Sequence, residues 1–320
     1  MDVLEHDPLI PLLDSGNRAI IWQVDRYILD RSSCPAEELW ELREPKRLMR
    51  RQGPDGRWRY PATDGRIRSR DDYDQLQTYK TLLDLIHKYR MDRRDIAISR
   101  AAEFLFSFQR KEGDLRGLYA NQYTPNYTAA IMEVLICAGY GDDPRIQRGF
   151  DWLLSIRQED GGWAIPFRTR GRDLSVSFEE ESPTLDGDRS RPFSHLITGI
   201  VLRAFASHPL RRSEPGVIEA GEMLASRMFN RDAYPDRADP IYWEKIQFPY
   251  QWTDVLSVLD TLSLLGFAPD HPDVARGIDW LIDDQGKDGL WRSRYGGKNR
   301  LEKDLWVTLA VSRVLRRLLG

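Results

Sequence analysis

At 320 residues the chain is long enough for one large domain or two ordinary ones. With 41% hydrophobic and 30% charged residues it belongs with globular chains rather than disordered ones. A formal net charge of -3 gives no global attraction to nucleic acid or anionic membranes, although Arg47, Arg50, Arg51, Arg57 and Arg59 leave a local anionic partner open.

Helical periodicity, with apolar residues at i, i+3, i+4 and i+7, dominates the chain. It predicts helices near 17–30, 37–50, 73–89, 95–109, 125–139, 145–157, 193–207, 214–229, 250–265, 272–284 and 302–318. Strand alternation is nearly absent. Pro54, Gly113, Pro144, Gly161-Gly162, Pro192, Pro215, Pro249, Pro272 and Gly296-Gly297 mark the breaks. No apolar run reaches the length of a membrane-spanning helix. The acidic start, Met1 to Asp7, lacks an apolar signal core, and Cys34 and Cys137 are far apart with no CxxC spacing. These features predict a reducing, cytoplasmic setting, with Cys137 as a core residue.

One loop signal recurs. Gln52-Gly53-Pro54-Asp55-Gly56-Arg57-Trp58, Gln158-Glu159-Asp160-Gly161-Gly162-Trp163 and Gln285-Gly286-Lys287-Asp288-Gly289-Leu290-Trp291 each close a helical segment. Gln109 to Leu115 is a copy without its Trp, and Phe229 marks a degenerate one. Aligning Gln52, Gln109, Arg157, Phe229 and Gln285 gives a unit of about 50–60 residues with one longer interval. The longer interval contains an inserted loop at 171–191, too long for an ordinary connection and open to reading as a lid or a solvated excursion. Each hairpin needs its neighbour to bury its apolar face, so residues 1–320 are expected to form a single domain. The loop Gln can bond helix-end carbonyls and the Trp can pack across the turn, which is a structural task.

The complete copy, Arg276 to Trp291, reads Arg-Gly-x-x-Trp-Leu-x-x-x-Gln-x-x-x-Gly-x-Trp. It resembles the Gln–Trp repeat of squalene and oxidosqualene cyclases, present in weaker form in protein prenyltransferase β subunits. The resemblance spans roughly residues 40 to 318 and implies an all-α fold, an α/α toroid of about five to six hairpins with inner and outer helix rings. The catalytic resemblance is poorer. The Asp-x-Asp-Asp acid motif of triterpene cyclases is missing, and Asp71-Asp72-Tyr73-Asp74 reverses its order. Neither cysteine has prenyltransferase zinc partners at family spacing, so no metal or cofactor is expected.

The resemblance makes the helix after each loop an inner one, with its first turn facing the cavity mouth. That selects Asp72, Asp74, His195 and Asp254 as candidate catalytic residues. It selects Tyr73, Gln77, Asn126, Tyr127, Gln251, Trp252, Asp304, Trp306, Arg168 and Arg170 as candidate substrate-binding residues. Asp at a helix start also serves capping, although Asp254 falls one turn inside its expected helix. His195 suits general acid–base work, and Arg168 and Arg170 suit an anionic group. Three functions remain open: an enzyme acting on an isoprenoid, a non-catalytic toroid binding a lipid or partner, and a polysaccharide lyase. The expected partner is an isoprenoid or other apolar small molecule, with peripheral membrane contact open and no nucleic acid.

Overall fold

The computed structural model describes residues 3–32, 34–61, 69–172 and 183–320. Every regular element among them is helical: α1 (Leu9–Leu13), α2 (Arg18–Tyr27), α3 (Glu37–Trp40), α4 (Arg43–Met49), α5 (Arg70–Tyr89), α6 (Ile96–Phe106), α7 (Pro125–Leu135), α8 (Pro144–Ser155), α9 (Pro166–Thr169), α10 (His195–Ala206), α11 (Pro215–Ser226), α12 (Val255–Leu265), α13 (Pro272–Asp283) and α14 (Arg300–Leu319). The all-α expectation holds. The chain divides into two compact units, one of residues 36–208 and one of residues 1–35 with 209–320.

Three boundaries differ from the sequence reading. The helix expected over 37–50 is two short ones, with Pro45 in the first turn of α4, where a missing N–H costs least. The short α1 was not expected; five residues are too few to display a helical period. The helix expected from 250 begins at Val255 instead.

Two kinds of helix alternate. In the 36–208 unit α6 and α8 enter a Gln–Trp loop, and α8 buries one stripe, including Ile146, Phe150, Trp152 and Leu153. The helices that follow the loops are enclosed. All twelve residues of α10 are buried, and α7 is buried from Tyr127 to Leu135. α7 lies against α5, α8 and α10. In the other unit α13 is the amphipathic partner and α12 and α14 the enclosed ones, with α2 packed on α14.

The loops repeat in detail. The Trp indole N–H donates ten residues back, from Trp58 to Leu48 O (2.7 Å), Trp163 to Leu153 O (2.8 Å) and Trp291 to Leu281 O (2.6 Å). The backbone N–H of the same position reaches a threonine hydroxyl of the following helix: Trp58 to Thr78, Leu115 to Thr128, Trp163 to Thr198 and Trp291 to Thr308, at 2.9–3.0 Å. The Gln amide ties the loop to the next hairpin. Gln52 donates to Gly56 O and Ala97 O, and Gln109 to Gly113 O and Arg145 O. Gln285 donates to Gly289 O and to His6 O, so the N-terminal segment takes the place of a next hairpin in its unit. At the damaged copy two residues share the work: Arg157 Nε donates to Gly161 O (2.7 Å) and Gln158 to Asp188 O and Arg191 O. Gly113, at φ +115, meets the Arg148 carbonyl so closely that a Cβ there would collide with it.

Residues 173–182 of the inserted loop, including Glu179, Glu180 and Glu181, lie outside the described residues. Residues 183–191 are stitched to their unit. Gln122 donates to Pro183 O and accepts from Leu185 N, Asp188 N donates to Thr169 Oγ1, and Arg189 Nε donates to Arg157 O.

Candidate functional site

The first turns of α5, α7 and α10 carry the sequence candidates of the 36–208 unit. Ser69 caps α5 by accepting from Asp72 N, which places Asp71 and Asp72 at the positive end of the helix. Asp74 is fully buried one turn on. Its carboxylate accepts from Tyr60 N (2.7 Å) and Arg59 Nη1 (2.8 Å), so it holds the strand of loop that follows Trp58. Gln77 is half-buried and donates to Thr81 Oγ1 at 3.2 Å. Tyr73 stands edge-on to Tyr60 with ring centroids 5.0 Å apart.

Tyr127, in the first turn of α7, donates to Gln75 Oε1 (2.9 Å), and Gln75 donates to Arg116 O (2.9 Å). Burial pushes the Tyr127 phenol well above its ordinary range, with the charge of Asp72 adding to the effect. Tyr119 meets Tyr127 edge-on at 6.4 Å and Phe167 at 6.0 Å. These contacts bring Asp72, Tyr119, Tyr127 and Phe167 into one group. Asn126 Oδ1 is buried and accepts no hydrogen bond among the described residues. His195, the first residue of α10, is buried beside its cap Ser194, whose N–H donates to Trp163 O. Arg168 lies over Phe167 at 5.6 Å, and Arg170 Nε donates to Asp186 O at 3.1 Å.

The other unit holds the remaining candidates. Asp254 is the N-cap of α12: its carboxylate accepts from Ser257 N (2.8 Å) and Ser257 Oγ accepts from Asp254 N (2.9 Å), a complete capping box. The expectation that Asp254 lies inside its helix is therefore corrected. The helix starts only at Val255 because Asp254 itself is extended and its side chain caps the Ser257 N–H. Asp304 repeats the Asp74 arrangement, accepting from Ser293 N (2.9 Å) and Arg292 Nη1 (3.3 Å). Trp306 is buried and stacks on Phe248. Gln251 is half-buried. Trp252 faces the Arg237 guanidinium at 4.1 Å, with Tyr242 at 5.0 Å and Tyr295, which accepts its hydrogen bond, on other sides. Trp252, Tyr242 and Tyr295 thus close around a cation of their own chain.

One polar group escapes the sequence reading. Near the C-terminal ends of α5 and α7, His87 Nε2 lies 3.2 Å from Glu133 Oε1, and Cys137 Sγ lies 3.8 Å from the same oxygen. The three ligating atoms lie within 4.8 Å of one another. Glu133 is buried, and Tyr79 of the same unit feels its charge. Burial, with the Glu133 charge beside it, pushes the Cys137 thiol up to about 12. The available signal was Glu133-x-x-x-Cys137, two ligating side chains one turn apart on a single helix face. His87 joins them only through packing of α5 on α7.

Residues 68–176 match the family model described as the squalene-hopene cyclase C-terminal domain. A squalene–hopene cyclase of Bradyrhizobium diazoefficiens is 25% identical over 202 residues, covering 47% of this chain and 30% of that enzyme. The chain therefore spans less than a third of the curated relative it matches. Among solved structures, the type II terpene cyclase MstE from Scytonema aligns over 92% of this chain and 97% of its own at 14% identity, with a TM-score of 0.32. A protein described as a novel alpha-amylase from Clostridium perfringens aligns over 93% of this chain and 85% of its own at 15% identity, with a TM-score of 0.44.

Proposed function

We propose that this chain, squalene cyclase-like over residues 68–176, is an α/α-toroid protein that binds an isoprenoid or similarly apolar molecule. The observation that carries the reading is the place of the family match. It covers Tyr73 and Tyr127 in the first turns of α5 and α7, together with Tyr119 in the loop before α7 and Phe167 in α9. Aromatic faces there suit an apolar chain and would favour any cationic centre along it.

The carboxylates argue for binding ahead of acid-driven cyclisation. Asp74 and Asp304 are committed as acceptors to a guanidinium and a backbone N–H, and Asp254 to its capping box. A general acid must instead present a proton to the substrate. Chemistry on the ligand is a second, finer proposal, for which Asp72 and His195 are candidates by their place at the starts of α5 and α10.

Solvent extraction of the purified protein followed by mass spectrometry tests the reading. An isoprenoid recovered above the level of a control protein purified in parallel is the expected result. A blank extract, together with no retention of added squalene or geranylgeraniol, would overturn it.

A further inference from the structure

We propose that His87, Glu133 and Cys137 form a three-ligand site for a zinc-class divalent ion, with a fourth position left for water or a substrate atom. Imidazole, carboxylate and thiolate are the donor types such an ion takes, and three protein ligands with an open position are the pattern of catalytic rather than structural zinc.

The spacing is the main argument. A tetrahedral ion with bonds of about 2.0–2.3 Å holds its donor atoms about 3.3–3.8 Å apart. The His87–Glu133 separation of 3.2 Å lies just below that range and the Glu133–Cys137 separation of 3.8 Å at its upper end; all three atoms lie within 4.8 Å of one another, so small side-chain shifts complete the site. Glu133 comes from α7, Cys137 from the π-helical turn (Ile136–Tyr140) that continues it, and His87 from α5 packed against α7, so helices rather than a loop set the geometry. Without an ion the same spacing is a thiol-to-carboxylate hydrogen bond from Cys137 to Glu133, which is the state the metal would replace.

Charge is consistent with an ion. The Arg90 charge acts on Cys137 and lowers the cost of its thiolate, although burial dominates. Two anionic ligands neutralise a dication, so the bound centre would present no net charge to this guanidinium group. The inference does not depend on isoprenoid binding, and its test uses no lipid.

The experiment uses Co2+ as the probe. The full chain carries Cys34→Ser to remove the exposed thiol, is cleared of metal with a chelator, and is titrated with Co2+. The expected result is one ion per chain, a thiolate-to-cobalt charge-transfer band in the near ultraviolet, visible bands of a four-coordinate ion, and loss of both on adding Zn2+. Cys137→Ser should abolish the charge-transfer band, and His87→Ala should weaken binding by at least about tenfold. No uptake of Co2+, or a spectrum unchanged by Cys137→Ser, would overturn the site. Should Cys137→Ser fail to fold, X-ray absorption of the zinc-loaded parent decides the matter. A sulfur neighbour at about 2.3 Å supports the site, and a shell of nitrogen and oxygen alone contradicts it.

Discussion

The backbone N–H of Trp163 donates to the Thr198 hydroxyl at 2.9 Å, and both groups are buried. The same hydroxyl faces Trp163 O at 3.3 Å, so one threonine secures both polar groups of that residue to the helix that follows it. Thr78, Thr128 and Thr308 repeat the contact. Thr198→Val keeps the shape and removes the acceptor, leaving a buried N–H without its partner. Chemical denaturation should show a loss of about 1–3 kcal/mol, with Thr198→Ser much closer to the parent. Equal stability of the Val variant and the parent would mean the contact does not hold the loop.

The glycines of these loops carry a different constraint. Gly113→Ala combines a left-handed φ with a collision on the Arg148 carbonyl. It should cost at least about 2 kcal/mol. Gly16 is also left-handed, at φ +66, but has open space around it. Gly16→Ala should cost about 1 kcal/mol, the conformational penalty alone. Comparable losses at the two sites would show that close packing of the loop on the next hairpin contributes nothing.

Arg145 donates to Glu103 at 2.7 and 2.8 Å and to Asp143 at 2.8 and 2.9 Å. Its hydrogen bonds hold both carboxyls below their ordinary values of 4.5 and 3.8. A carboxyl depressed on folding contributes stability that is present above its unfolded pKa and is lost as pH falls through the folded one. The melting-temperature gap between the parent and Arg145→Gln should therefore be widest near neutral pH and should shrink below about pH 4. A gap that stays constant down to pH 2 would assign the effect of Arg145 to its packing over Phe106.

The two cysteines should differ in reactivity. Cys34 is exposed, whereas burial pushes the Cys137 thiol up to about 12. At pH 8 only about one Cys137 in ten thousand would be thiolate. In chelator-treated protein, iodoacetamide should label Cys34 alone until the chain is unfolded. Equal labelling rates for both cysteines would contradict the enclosure of Cys137.

The scaffold is legible in sequence because its signals are local. Gln285 to Trp291 sits in one stretch of chain, and its Trp indole and one Gln bond act on that stretch or the helix before it, while the second Gln bond reaches the distant His6 O. The division of labour between Arg157 and Gln158 is visible as a shifted copy but becomes intelligible only when their separate carbonyls are seen. The expected start at 250 overlooks the Asp254-x-x-Ser257 cap written in the chain, which begins the helix at Val255. The role of Asp74 depends on Arg59 and Tyr60 reaching back from the preceding loop, which helix-start arguments do not include. The His87–Glu133–Cys137 group is less legible still. Forty-six residues separate His87 from Glu133, and no periodicity relates them.

The most direct measurement is a titration with squalene, followed by tryptophan emission and by recovery of labelled squalene with the protein after gel filtration. The account predicts saturable binding that Asp74→Asn leaves within about twofold, while that variant melts at a lower temperature because the buried carboxylate loses its charge-assisted bonds to Arg59 and Tyr60 N. No saturable binding by the parent, or binding abolished by Asp74→Asn in a protein that remains folded, would contradict it.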